Sequence, residues 1–340
     1  MIGDLSRGRR TLRRAVRLWH SGQTESARRQ VALSITLLSR ARPCHLEELV
    51  AALHTAAGFA TTLAEHDEAE RMHQRCVVLL AAQPPGTQRN ALLADALVRL
   101  GNGQRLLARY ADAEHNLDAA AVLAHHGNPR QRAAVHNARG ILAKDTGRYA
   151  TAAGHYAAAR NLLEPIVGAD SWELATVHHN LAGLGHAQGH YVEAEEPARR
   201  ALALRRSNPA ADPTDVAGDA TVLGAILAGL GQHEEAEELF RTAAAAWRQP
   251  YGDDHYEVAV NLHNIAATQQ ARGQLATAEQ SFLQSLAIKV RVLGEGHPEV
   301  AALHNNLAVL QAEQNRPSEA ADHYQTAVRI FERTLGPAHP

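Results

Sequence analysis

Small apolar residues recur along this chain at fixed long intervals, and the interval is the first thing the sequence discloses. Three segments share one pattern: WELATVHHNLAGLGHAQGHYVEAEE from Trp172, YEVAVNLHNIAATQQARGQLATAEQ from Tyr256 and PEVAALHNNLAVLQAEQNRPSEAAD from Pro298. Tyr256 to Pro298 is 42 residues, and Trp172 to Tyr256 is twice that. One alanine anchors every copy: Ala27, Ala69, Ala113, Ala152, Ala194, Ala236, Ala278 and Ala320, at spacings of 42, 44, 39, 42, 42, 42 and 42. The two irregular spacings flank the third copy, where QPPGT (83–87) and HHGNP (125–129) absorb the change as loops do. A period of this length predicts an array of helix–turn–helix units, here eight of them, spanning 5–42, 46–83, 88–126, 130–168, 172–207, 214–249, 256–293 and 298–335.

Further columns fix the register. Twelve residues before each anchor stand Ala15, Ala57, Gly101, Gly140, Ala182, Gly224, Ala266 and Ala308. Seven after it stand Ser34, Cys76, Ala120, Ala159, Ala201, Ala243, Ser285 and Ala327. Small residues in all three columns are what two antiparallel helices need for close backbone approach. Four after the anchor, Val31, His73, Leu117, Tyr156, Ala198, Phe240, Phe282 and Tyr324 are mostly larger and are expected to fill the groove between neighbouring repeats. Gly22, Gly147, Gly189, Gly231, Gly273 and Asn315 mark the turn inside a repeat, being residues that tolerate the left-handed conformation ending a helix.

These columns resemble the tetratricopeptide repeat (TPR). The 42-residue period, the linkers LGEGHPEV (293–300) and YGDDHYEV (251–258), and LHNNLA (303–308) and LHNIAA (262–267) are similar to the kinesin-light-chain type. Copies 1, 2 and 4 depart from the pattern, with Arg14, Ala56 and Arg139 in a column that is otherwise Leu or Ile. The resemblance implies an all-α fold: one α-solenoid, a right-handed superhelix over 1–340, whose first helices line a concave face. It implies that groove-facing residues stand 18, 15, 14, 11, 8 and 7 before each anchor.

Read at those positions, the lining proposes a binding site of His54, Arg99, Arg105, Asn137, Lys144, His179, Asn180, His186, His263, Asn264, Asn305 and Asn306. Side-chain amides both donate and accept, so an Asn/His ladder suits an extended peptide backbone. Equally, Asn180, Asn264 and Asn306 suit bracing between adjacent helices, and both roles stay open. Arg99, Arg105, Lys144, His179 and His186 would favour an acidic segment or a free carboxylate, the plainer alternative being solvated groove charges.

Composition narrows the function classes. Among 340 residues only 4% are aromatic and two are cysteine, Cys44 and Cys76, so neither a large aromatic core nor a disulfide framework organises the chain. Lys144 and Lys289 are the only lysines beside 32 arginines, as in a high-GC bacterial coding sequence. MIGDLSRGRRTLRR lacks the apolar core of a signal peptide, and no stretch approaches the roughly 20 apolar residues of a membrane span; a cytoplasmic protein is expected. Residues 1–42 hold ten Arg against Asp4 and Glu25, although the chain as a whole carries a net −2. Arg7, Arg10, Arg14 and Arg17 share a face opposite Leu5, Leu12, Val16 and Trp19; the polar outer face of a terminal cap is preferred over binding to nucleic acid or membrane.

No metal site or cofactor is expected. The 21 histidines include His186 and His190, but Gly189 interrupts that pair and no third ligand completes a set; His255, His297 and His339 belong to the linker pattern. Neither a GxxxxGK[ST] phosphate loop nor a GxSxG elbow is present. Cys76 falls in a packing column, Cys44 in RPCHLEE lacks a catalytic setting, and Glu195–Glu196, Glu234–Glu235 and Glu237–Glu238 read as a solvated outer face. The expectation is a non-enzymatic scaffold that grips a protein or peptide; the alternatives are a peptide-responsive regulator, or the targeting arm of a larger effector. TLGPAHP copies the linker VLGEGHP, which leaves two alternatives open: a ninth repeat or another domain after 340, or an uncovered Val328, Phe331 and Leu335 inviting self-association.

Overall fold

The computed structural model describes residues 2–40, 45–63 and 65–335; Cys44, His339 and the side chain of Leu335 lie outside the described residues. Among these, the chain is all-α with no strand. By its internal contacts it divides into two compact units, Met1–Asn180 and Leu181–Pro340.

Unit 1 contains the antiparallel hairpins α1 (Ile2–His20) and α2 (Thr24–Arg40), α3 (Leu46–Thr62) and α4 (His66–Ala81), α5 (Thr87–Leu106) and α6 (Tyr110–Ala124), and α7 (Pro129–Asp145) and α8 (Tyr149–Val167). The unit boundary falls inside α9 (Ala175–Ala187), which is followed in unit 2 by α10 (Tyr191–Arg206). Unit 2 continues with α11 (Pro213–Gly229) and α12 (His233–Tyr251), α13 (Tyr256–Ala271) and α14 (Leu275–Leu293), and α15 (Pro298–Glu313) and α16 (Pro317–Leu335). Within each unit successive hairpins stack side by side as in an α-solenoid, each second helix packing on the first helix of the next hairpin.

The columns explain why each hairpin closes. The anchor alanines that the sequence singled out are buried, and so are the small residues twelve before them, from Ala15 at 0% exposure to Ala308 at 0%. Where that second column is Gly, a large side chain from the column four after the anchor occupies the freed space. A Cβ on Gly224 would sit 2.7 Å from the Phe240 ring, and one on Gly140 would run into Tyr156. Those side chains therefore reach into their own hairpin and also cluster with the next one, Phe240 with Ile265 and Phe282 with Leu303, Leu307 and Leu310. The column seven after the anchor supplies a buried bond across the hairpin: Ser34 and Ser285 donate to the carbonyls of Gly8 and Ala259 at 2.8 and 2.7 Å.

Turn chemistry sets the ends. Gly22, Gly147, Gly189, Gly231 and Gly273 adopt φ of 72 to 78°, and Asn315 adopts 61°, the left-handed conformation in which a side chain is costly. In the third hairpin Ala108 takes that slot at φ 56°. First helices start on side-chain caps: Asn128 and Asp212 accept from the amides of Gln131 and Thr214, each just before a proline, and the linker histidines His255 and His297 accept through Nδ1 from Glu257 and Glu299.

One assignment of charge changes. Glu237 is buried at 3% exposure, accepting from Gln269 Nε2 at 2.9 Å and from Arg272 at 2.8 Å. It locks α12 to α13 and is no part of a solvated face, whereas Glu195 and Glu235 are half-exposed or exposed and pair with Arg199. On α1 the apolar side faces inward, Trp19 stacking on Phe59 with ring centroids 4.0 Å apart, while Arg7, Arg10, Arg14 and Arg17 are exposed. Among the described residues no helix is long and apolar enough to cross a membrane. At α16, Val328 is 51% exposed, and Phe331 packs against Val300, Ala301, Ala327 and Ile330.

Candidate binding surface on the first helices

In unit 1 the first helices α3 and α5 frame a cavity of about 420 Å³ lined by Glu47, Val50, Ala51, His54, Thr55, Leu92, Asp95 and Arg99. Two residues expected to contact a ligand, His54 and Arg99, thus share one depression. His54 is half-buried, its Nδ1 lying 3.1 Å from Nδ1 of His73 on α4. Burial pushes both imidazoles down to about 4, the Arg99 charge adding to the effect, so they are neutral at pH 7. Arg99 is exposed and donates through Nε to Asp95 at 2.9 Å.

Farther along unit 1 the expected cations are also compensated. Arg105 on α5 and Lys144 on α7 both pair with Asp145, Lys144 at 3.4 Å. The cluster of Arg99, Arg105 and Lys144 is therefore not a bare anion site: three cations stand among two carboxylates. Both carboxylates occupy groove-facing columns, Asp95 eighteen and Asp145 seven residues before their anchors; reading those two columns as well as the amide-rich ones would have found them. The buried Nε of Arg105 has no partner among the described residues.

The asparagines divide by unit. Asn180 donates to Asn137 Oδ1 at 2.6 Å, bracing α7 and α9. In unit 2, Thr221 and the fully buried Asn261 make the equivalent brace between α11 and α13 at 2.9 Å. The amides of Asn264, Asn305 and Asn306 have no hydrogen-bond partner among the described residues, and Asn305 is exposed. His263 is half-buried against Phe282, held neutral by burial with its value pushed down to about 4, and its Nδ1 has no partner among the described residues. His186 is exposed and meets Tyr191 edge-on, and His179 is half-buried in unit 1. The twelve expected residues thus fall on both units, seven in unit 1 and five in unit 2.

Histidine pairing nineteen residues apart escaped the sequence reading. It recurs as His136–His155 at 3.1 Å and His304–His323 at 2.7 Å, joining first and second helices of one hairpin. Among the described residues no group of three or more His, Cys, Asp or Glu is placed to hold a metal ion. Burial pushes the Cys76 thiol up to about 12, as befits a packing residue. Another set, in unit 2, joins the buried Lys289 to half-buried Glu299 at 2.7 Å with the Tyr256 hydroxyl donating to the same carboxylate at 2.9 Å, which ties α13 and α14 to α15.

Comparison with known proteins bears on the same architecture. Similar solved structures include a Rap protein complexed with Competence and Sporulation Factor (TM-score 0.62, 16% identity, 84% of this chain and 77% of that one). They also include the apo quorum sensor NprR from B. thuringiensis (0.60, 14%, 85% and 78%). The kinesin-light-chain TPR-like repeats of Podosopora anserina align at 0.51 and 20% identity, over 61% of this chain and 97% of that one. No curated relative matches the chain. The Tetratricopeptide repeat profile matches residues 131–207, 219–289 and 262–333, more than half of the sequence. Columns, hairpins and profile agree, and the chain belongs to the tetratricopeptide repeat family.

Proposed function

We propose that the protein is a non-enzymatic scaffold of the bacterial cytoplasm that holds an extended peptide or protein segment along its first helices. The observation that carries this reading is the α3–α5 cavity, which gathers His54 and Arg99 at positions that the family resemblance implies are groove-facing. The open amides of Asn264, Asn305 and Asn306 on α13 and α15 support it, because they offer donors and acceptors to a peptide backbone. Arg105 and Lys144 exceed Asp145 by one charge and would receive an acidic group of the ligand. In unit 1 Asn137 and Asn180 serve as the brace and His179 adds a half-polar wall; in unit 2 His186 and His263 add theirs.

A test begins with random 12-residue peptides selected on the immobilised full chain and measured by fluorescence anisotropy. Each lost hydrogen bond contributes about 0.5–1.5 kcal/mol, so an Asn264/Asn305/Asn306 triple alanine variant should bind selected peptides at least about tenfold more weakly. Peptides that bind both proteins equally would sink the amide ladder as a site.

A second reading, that peptide binding regulates a further partner, draws on the likeness to the Rap protein complexed with a factor and to the quorum sensor NprR. It requires the peptide to distinguish two conformations. Small-angle scattering profiles that coincide with and without a selected peptide would count against it.

A further inference from the structure

The cavity between α3 and α5 has a chemistry of its own. Its single cation, Arg99, is already engaged with Asp95, and among the described residues Glu47 accepts from Gln88 alone. Two carboxylates against one guanidinium leave the wall with a formal charge of −1. The Thr55 hydroxyl spends its proton on the Ala51 carbonyl at 2.9 Å and keeps only acceptor capacity. His54 adds no charge, and its Nε2, buried with no partner among the described residues, accepts or donates according to which of the two imidazoles carries the shared Nδ1 proton. The floor is apolar, made by buried Val50 and half-buried Leu92.

An acceptor-rich, net-negative wall above an apolar floor repels a carboxylate and leaves its charges desolvated beneath a purely apolar group. It suits an aliphatic stem ending in a cationic donor, the stem covering Val50 and Leu92 and the head bonding the carboxylates. We propose that the α3–α5 cavity is the specificity pocket for a basic side chain, arginine or lysine, of the bound peptide. This deepens the peptide-binding reading and rests on it. It also inverts the expectation of an acidic ligand at Arg99, while the step from α5 to α7, with Arg105 and Lys144 against Asp145, keeps the opposite sign. The ligand so described carries a basic residue for repeats 2–3 and an acidic group for repeats 3–4.

The probe is the pool of 12-residue peptides enriched by phage display on the full chain, with affinities measured against wild type and a Glu47→Gln/Asp95→Asn variant. Far-UV circular dichroism checks that the variant, altered only at exposed carboxylates, keeps its helices. Enriched peptides should share one Arg or Lys. Its replacement by norleucine should weaken binding to wild type at least about tenfold and to the variant less than about twofold, the coupling expected of two groups in contact. Enriched peptides without a common basic residue, or equal losses on both proteins, overturn the pocket assignment and leave the peptide-binding reading standing. Failure to enrich any peptide overturns both.

Discussion

Lowering the pH from 7.5 to 5.0 should destabilise this protein through its buried imidazoles. His73 and His263 have an ordinary value of 6.5 and are pushed down to about 4, first by burial. In the folded chain each stays neutral at pH 5, whereas in the unfolded chain each is protonated. Their contribution is complete above about pH 6.5 and is lost progressively as the pH falls towards 4. Between pH 7.5 and 5.0 the linkage amounts to about 2 kcal/mol for each such proton. His54 adds less than a second full proton to its pair, because it is only half-buried and a singly protonated pair still shares Nδ1–H···Nδ1. Counting one proton for the pair in unit 1 and one for His263 in unit 2 gives a loss of about 4 kcal/mol. Urea unfolding followed at 222 nm reads this as a midpoint lowered by about 1–2 M. A His54→Val/His73→Leu variant copies the Val98 and Leu117 that fill the same columns in the third hairpin, both of them buried. It should recover about 2 kcal/mol of the acid loss, one proton's worth. Identical acid sensitivity in wild type and variant would refute the assignment of that loss to the pair.

Two substitutions test the repeat geometry. Ala108 occupies at φ 56° the slot that five other hairpins give to glycine, so Ala108→Gly should stabilise by about 0.5–1 kcal/mol and raise the thermal midpoint by about 1–4 °C; an unchanged or lower midpoint refutes the strain. Gly154, exposed in mid-helix with nothing near its Cβ position, and Gly140, facing Tyr156, make a contrasting pair. Gly154→Ala should gain up to about 1 kcal/mol of helix propensity, whereas Gly140→Ala should lose about 1–3 kcal/mol to overpacking; thermal midpoints moving in the same direction would contradict the packing described.

The fold was legible because close helix packing imposes residue size at fixed spacing. Ala27 through Ala320, and the Gly–aromatic pairs such as Gly224 with Phe240, can satisfy that demand in few other ways. Charges are less constrained and proved less legible. Glu237 and Glu238 are adjacent and chemically alike in the sequence, yet one is buried among Gln269 and Arg272 and the other is exposed. What separates them is a partner 35 residues away, at Arg272, which no local pattern announces. The same holds for His54 and His73: each fits its column as an ordinary polar or apolar residue, and their hydrogen bond exists only once the hairpin has closed.

The groove shows how this asymmetry affects a reading of function. A list of cations at groove-facing positions pointed to an anionic ligand, because Arg99, Arg105 and Lys144 were counted without their neighbours. In the fold Asp95 lies one helical turn before Arg99, and Asp145 faces Arg105 from the next first helix. Paired charges at half-exposed sites contribute little to stability, commonly about 0–1 kcal/mol, so holding the hairpins together does not require them there. Under the peptide-binding proposal their effect falls on the ligand. Alternating carboxylates and cations along one face reward a peptide of matching sign and penalise one of opposite sign, which gives discrimination that an amide ladder, indifferent to side chains, cannot supply. Under the peptide-binding proposal, sign recognition by Glu47, Asp95, Arg105 and Lys144 is a property of unit 1 and backbone recognition by Asn264, Asn305 and Asn306 a property of unit 2, so each is tested by its own variant.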